Sequence, residues 1–190
     1  MPAEAAATLM TVEEFLALPP DDAVERWLID GELRERPTMG YRNRYHSECM
    51  GLFAHALNAW RAETKRPGKV LVGDAGFRIP GDPPTLFGID VAFVNADVLA
   101  ATPANSTIVH GVPVLAVEIL SPSDTYEYVN DKLARLLGAG TPLVWIADTF
   151  NRTVTAYRPG AEPRLYTASQ DLEAEPILPG FRAAVATLFG

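Results

Sequence analysis

The chain has 190 residues, of which 48% are hydrophobic and 21% charged, and a formal net charge of −8; this is ordinary globular composition, long enough to bury a sizeable core. No apolar run reaches the ~18 residues of a membrane span, and the lone Cys49 excludes a disulfide framework or thiolate cluster within one chain. The acidic balance argues against a protein that holds nucleic acid by bulk charge.

In chain order, Met1 to Leu9 is alanine-rich but lacks a basic n-region and a long enough apolar stretch for a signal peptide, so a cytoplasmic home is expected. Thr11 to Glu14 reads as a capping box opening a short helix that stops at Pro19-Pro20. Trp27 to Leu33, centred on Asp30-Gly31, has the pattern of two strands joined by a tight turn. A helix follows from Arg44 to Ala62, with His46, Cys49, Phe53 and Trp60 on its inward face. Residues 26–78 hold ten Lys/Arg against six Asp/Glu. Arg34, Arg36, Arg42, Arg44, Arg61, Lys65, Arg66 and Lys69 are therefore either a modest basic face or ordinary solvated charges.

Val70 to Ile79 reads as a strand interrupted by glycines, and Ile89 to Val94 as another after the Gly-Asp-Pro-Pro turn. Pro113 to Leu120 is the nearly continuous apolar run of a central strand. Asp124, with Glu127 three residues on, is placed to cap a helix running to Leu137 and ending at Gly138/Gly140. Leu143 to Ala147 is a buried strand, Thr153 to Arg158 alternates like an edge strand, and a short helix closes the chain near 183–189. The coarse reading is one domain with a mixed sheet and helices on both faces.

Two carboxylates interrupt apolar strands. Alternation puts Asp90 on the face of Ala92 and Val94, and Glu118 on the face of Val114, Ala116 and Leu120. Such charges must be paired, protonated or bound to a metal. Either an arginine such as Arg78 answers them, or a hard divalent cation lies between them. Lys132 flanks the apolar stripe Val129, Leu133, Leu136 and Leu137. It is either a helix-edge lysine or one that lays its stem on the core and brings its ammonium to the sheet. His46 by itself fits a satisfied core position, and Cys49 is explained by packing. No histidine pair has zinc-ligand spacing, and no Walker loop, dinucleotide fingerprint or Gly-x-Ser-x-Gly occurs.

The succession Leu28-Ile-Asp-Gly-Glu-Leu33, His46, Ile89-Asp90-Val91-Ala-Phe-Val94, Val117-Glu118-Ile-Leu-Ser121-Pro-Ser123, Lys132, Gly138-Ala-Gly140, Trp145-Ile-Ala-Asp148 and Ala156-Tyr-Arg158 resembles the Uma-type restriction endonuclease family. That family is a branch of the PD-(D/E)XK nuclease superfamily, and the likeness covers about residues 10 to 180. It implies a restriction-endonuclease-like α/β fold, a mixed central sheet flanked by helices, and Mg²⁺- or Mn²⁺-dependent hydrolysis of DNA. Asp90 and Glu118 would correspond to the metal-binding acids, joined by the backbone carbonyl of Ile119. Lys132 would replace the lysine that the wider superfamily places at Leu120, and His46 matches a histidine near the same site. Ile89 replaces a proline usual before the aspartate. Trp27 stands where the family commonly has a further carboxylate, for which Glu25 or Glu32 could substitute. The resemblance leaves two expectations: a DNA-cleaving enzyme, or a non-catalytic member that binds nucleic acid or a protein. A homodimer built on the apolar tail and the Thr153–Arg158 strand is a further expectation.

Overall fold

A computed structural model describes residues 9–38, 43–122 and 124–190. In chain order the elements are α1 (Val12–Leu16), β1 (Val24–Ile29), β2 (Glu32–Pro37), α2 (Arg44–Glu63), β3 (Lys69–Ile79), β4 (Thr85–Val94), α3 (Ala96–Ala101) and β5 (Val109–His110). There follow β6 (Leu115–Leu120), α4 (Tyr126–Gly138), β7 (Leu143–Asp148), β8 (Thr153–Tyr157), β9 (Arg164–Tyr166), β10 (Asp171–Glu173), β11 (Arg182–Ala184) and a 3₁₀ turn, Val185–Leu188. The first helix begins with the expected capping box between Thr11 and Glu14. Asp30 and Gly31, both with positive φ, join β1 to β2 as a two-residue turn, the conformation that Asp-Gly adopts at least cost.

The large sheet runs β2-β1-β4-β6-β7-β8-β9, with β3 against β4 and β5 against β3. Among the described residues β6–β7 and β3–β5 are the parallel pairs, so the sheet is mixed. One face carries α2 and the C-terminal segment over Phe93, Val117, Trp145 and Ala156. The other carries Leu136 of α4 over Ala92, Ala116, Val144 and Ile146. This is the helix-flanked α/β arrangement expected from the alternation of apolar strands and amphipathic helices. Among the described residues no helix is long and apolar enough to cross a membrane.

Several boundaries differ from those read in the sequence. The fourth strand begins at Thr85 rather than Ile89, because residues 85–89 pair with Ile79 to Ala75 of β3. Thr153–Tyr157 is not an edge: it pairs with β7 on one side and β9 on the other. Arg164–Tyr166 is the outer strand. The tail is not a free apolar surface, since Leu172, Leu178, Phe181, Val185 and Leu188 are buried in the α2-side core. The closing segment is a short strand followed by a 3₁₀ turn. Asp124 does not cap α4; Thr125 does, accepting from the Tyr128 amide at 3.2 Å.

Candidate metal centre

The site begins with an irregularity in β4. On one side this strand pairs with β3, but Val72 faces Val91 and Ala75 faces Ile89, so Gly73 and Asp74 together oppose Asp90. This is a β-bulge, and both bulged residues have positive φ, the backbone that Gly and Asp tolerate best. Gly88 lets the bulge lie close: a Cβ there would come within 2.9–3.0 Å of Asp74 atoms. On its other side β4 meets β1 at Leu86 and β6 at Val91 to Phe93. Asp90 lies between these two ladders, where the sheet changes partner. A bulge opposite a gap re-aims a side chain. The alternation shifts accordingly: the α4-side core takes Phe87 and Ile89 before Asp90, and Ala92 and Val94 after it. The simple face assignment read from the sequence therefore stops at Asp90.

Glu118 is next in line on β6 beyond the Val91–Val117 pair, where the β4–β6 ladder ends. Both acids are nearly buried, at 5% and 8% exposure. Asp90 Oδ2 accepts from the Ile119 amide at 2.8 Å and lies 3.3 Å from His46 Nε2. Glu118 Oε2 accepts from Lys132 Nζ at 2.5 Å. So β4, β6, α2 and α4 each place one member of the expected set together, with the Ile119 backbone between the acids. Arg78, the alternative partner for these acids, instead binds Glu13 at 3.1 Å.

The two acids have opposite electrostatic character. Burial works against ionisation of Asp90, but hydrogen bonding and charge from His46, the Lys132 ammonium and the Ile119 amide outweigh it. Its carboxyl is held below the ordinary range. Burial dominates at Glu118 and, with repulsion from Asp90, pushes it up to about 8 despite Lys132. Burial disfavours the Lys132 ammonium, yet Glu118, Tyr128 and Asp90 more than offset it and raise its pKa.

Around Lys132 stands a group that the motif reading did not assemble. Its ammonium lies 5.2 Å from the Tyr128 ring and 5.3 Å from the Phe87 ring. Tyr128 meets Trp27 edge-on at 4.8 Å, and the Arg36 guanidinium sits 4.3 Å over Tyr128. Arg36 is held by Glu25 at 2.8 Å and Asp124 at 2.6 Å. Asp124 also accepts from the Ser121 amide at 2.7 Å, closing the turn between β6 and α4. Tyr128 is one helical turn before Lys132, a spacing from which their contact was readable. The link to Trp27 and Arg36 crosses from α4 to the β1–β2 hairpin and has no local signal.

Glu25 pairs with Arg36, and Glu32 with Arg34 at 2.7 Å. The basic residues do not form one face at the site. Arg34 and Arg36 are in ion pairs, and Arg44 lies over the Tyr45 ring at 4.5 Å. Arg61, Lys65, Arg66 and Lys69 follow the far end of α2, roughly 22 Å along the helix from His46 at ~1.5 Å per residue. Arg42 lies outside the described residues. Cys49 is buried, and its thiol is pushed up to about 12, chiefly by burial, which fits packing rather than chemistry.

A divalent ion fits these residues on one observation above others. Glu118 Oε1 is buried and has no hydrogen-bond partner among the described residues, as is also true of His46 Nδ1. A buried carboxyl oxygen without a hydrogen-bond partner is a costly arrangement that a cation would relieve. Among the described residues no three His, Cys, Asp or Glu side chains converge as a metal cage. Two carboxylates suit an ion that keeps several waters, as Mg²⁺ does.

The family model described as "Putative restriction endonuclease" (Uma2) matches residues 12–186. The fold is shared with a crystal structure of a putative nuclease belonging to DUF820 from Anabaena variabilis ATCC 29413, at 21% identity and a TM-score of 0.78. The match covers 95% of this chain and 97% of that one. No curated protein matches.

Proposed function

The chain belongs to the Uma2 family, described as "Putative restriction endonuclease", and from that premise we propose that it is an endonuclease that hydrolyses DNA phosphodiester bonds with Mg²⁺ or Mn²⁺. Asp90, Glu118 and the Ile119 backbone carbonyl would hold the ion. The observation that carries this reading is the buried Oε1 of Glu118, which has no hydrogen-bond partner among the described residues.

When bound, the ion polarises a phosphoryl oxygen and lowers the pKa of water. The chain's own residues divide the remaining work. His46 Nε2 and the Ile119 amide fix the Asp90 carboxylate from two sides and keep it charged. Glu118 is the acid whose charge is held back by burial, so it would gain most from a bound cation. Lys132 stays protonated and presents its ammonium to charge that builds on the phosphate. The Tyr128 ring and its Trp27 and Arg36 neighbours hold that lysine in place.

A second reading, a non-catalytic binding member, is favoured by Trp27 where the family commonly has an acid and by the ion pairs that occupy Glu25 and Glu32. A cytoplasmic, reducing setting belongs to the first reading and is consistent with the buried thiol of Cys49. So does a homodimer, for which β9, one terminal strand of the sheet, is an edge to test. The discriminating experiment is cleavage of single- and double-stranded DNA with Mg²⁺ or Mn²⁺, run beside Glu118→Ala. The proposal expects wild-type activity that disappears on chelation and falls at least a hundredfold in the variant, in line with loss of one electrostatic element. Equal residual activity in the two proteins would sink it.

A further inference from the structure

The Tyr128 side chain is fixed by three neighbours. Its ring lies one helical turn before Lys132, 5.2 Å from that ammonium. It meets the Trp27 ring edge-on at 4.8 Å and carries the Arg36 guanidinium 4.3 Å over its centre. Arg36 is itself held by Glu25 and Asp124. The ring is therefore a wedge between α4 and the β1–β2 hairpin, with little rotamer freedom left.

The hydroxyl on this ring makes no hydrogen bond among the described residues. By contrast, Tyr45 accepts from Arg44 at 2.7 Å and the buried Tyr166 donates to the Glu173 carbonyl at 3.4 Å. The charged groups that act on the Tyr128 phenol are Lys132, Glu118, Glu25 and Arg36, so its oxygen lies among these two ion pairs. Burial raises the phenol above its ordinary value, with Lys132 opposing and Glu118 adding to the effect; the O–H is a donor throughout neutral pH. The residue is half-buried and its hydroxyl is not one of the sealed polar atoms, so an acceptor can reach it from solvent. A ring that served packing alone would carry this hydroxyl at a desolvation cost. A phosphodiester is the complementary ligand: it has two non-bridging oxygens, one negative charge and no donor, and suits a hydroxyl beside an ammonium.

We propose that the Tyr128 hydroxyl is a substrate-binding donor, which hydrogen-bonds a non-bridging oxygen of the phosphodiester that enters beside Glu118 and Lys132. The place of the phosphodiester rests on the nuclease reading; the hydrogen bond itself is tested without turnover. The probe is bis(p-nitrophenyl) phosphate, a phosphodiester that carries no base sequence. Its binding is measured by calorimetry with Ca²⁺, and its hydrolysis with Mn²⁺ by release of p-nitrophenolate, for wild type, Tyr128→Phe and Glu118→Ala. Tyr128→Phe keeps the ring against Trp27, Arg36 and Lys132 and removes only the hydroxyl. The expected result is probe binding about tenfold or more weaker in Tyr128→Phe, the scale of one hydrogen bond to a charged group, with kcat/KM falling at least as far. Mn²⁺ affinity and the urea midpoint should stay at wild-type values, which separates a lost substrate contact from a lost packing contact.

Equal affinity of wild type and Tyr128→Phe overturns the proposal, because the hydroxyl then binds only water. So does a wild-type protein that does not bind the probe, or a loss of Mn²⁺ affinity or stability that matches the loss of probe binding. Hydrolysis that requires Glu118 but is indifferent to Tyr128→Phe removes this inference and leaves the nuclease reading. Probe binding that weakens in Tyr128→Phe, without hydrolysis in Mn²⁺, leaves this inference standing and removes the nuclease reading.

Discussion

Lys132 and Glu118 form a pair with exposures of only 2% and 8%, and such a pair is costly to break from one side. Lys132→Met leaves the Glu118 carboxyl buried without its hydrogen-bond partner and should destabilise the fold by about 1–3 kcal/mol. Glu118→Leu combined with Lys132→Met should recover most of that loss, because both desolvation costs disappear together. Urea unfolding of the two variants checks this, and a double variant as unstable as the single one refutes it. The pH dependence follows from the same residues. Glu118 is raised from 4.5 to about 8 in the folded state, so the folded chain binds its proton more tightly than the unfolded chain. Its contribution to stability is fully present below about pH 4.5 and is lost as pH rises through about 8. Asp90 is lowered, so its contribution is lost only as pH falls below the usual aspartate range. Thermal melts of metal-free protein from pH 5 to pH 8.5 should therefore show falling stability, and Glu118→Gln should flatten that slope.

At the scale of elements, the site depends on a defect in strand pairing more than on any one strand. Gly73 and Asp74 bulge from β3 against Asp90, and Gly88 provides the space they occupy. Gly88→Ala would place a Cβ 3.0 Å from the Asp74 carbonyl oxygen, and the strand must shift to relieve it. A cost of about 1–3 kcal/mol is expected, as for other overpacked positions. Metal affinity should weaken with it, because the shift moves Asp90 relative to Glu118. Calorimetric titration of Mn²⁺ into the variant measures this, and unchanged affinity would mean that the bulge does not aim the acid. The α4 terminus shows how close the competing local signals were. Thr125 and Asp124 are both good caps, and the box with Glu127 favoured Asp124 in the sequence. In the fold, Arg36 and the Ser121 amide occupy the Asp124 carboxylate, leaving Thr125 to the helix.

For the molecule as a whole, the C-terminal segment completes the core. Phe181 packs 5.3 Å from the Trp145 ring and 6.3 Å from the Trp60 ring, and the Trp60 indole donates to the Pro179 carbonyl at 2.9 Å. Phe181→Ala should cost about 3–5 kcal/mol, the range for a large buried ring. A change under about 1 kcal/mol in chemical denaturation would show the tail to be a dispensable cover. This burial is also why the tail is unavailable as the interface suggested by its apolar composition. Its apolar residues face α2 and the sheet, and Arg164–Tyr166 takes the edge position expected for Thr153–Arg158.

What the sequence by itself determined is local. The Asp30-Gly31 turn, the capping box at Thr11, the amphipathic α2 and α4, and the apolar strands holding Asp90 and Glu118 all follow from periodicity and turn chemistry within a few residues. The motif order carried the family, and with it the grouping of Asp90, Glu118, Lys132 and His46. What only the tertiary structure decided is how those residues are aimed and who competes for them. The bulge opposite Asp90, the gap between β1 and β6, and the Trp27–Arg36–Tyr128 group around Lys132 all arise between segments distant in the chain. A strand's own pattern records which residues can be buried. It cannot record where a neighbouring strand adds a residue, or which distant arginine takes an acid that a local rule had assigned to a helix cap.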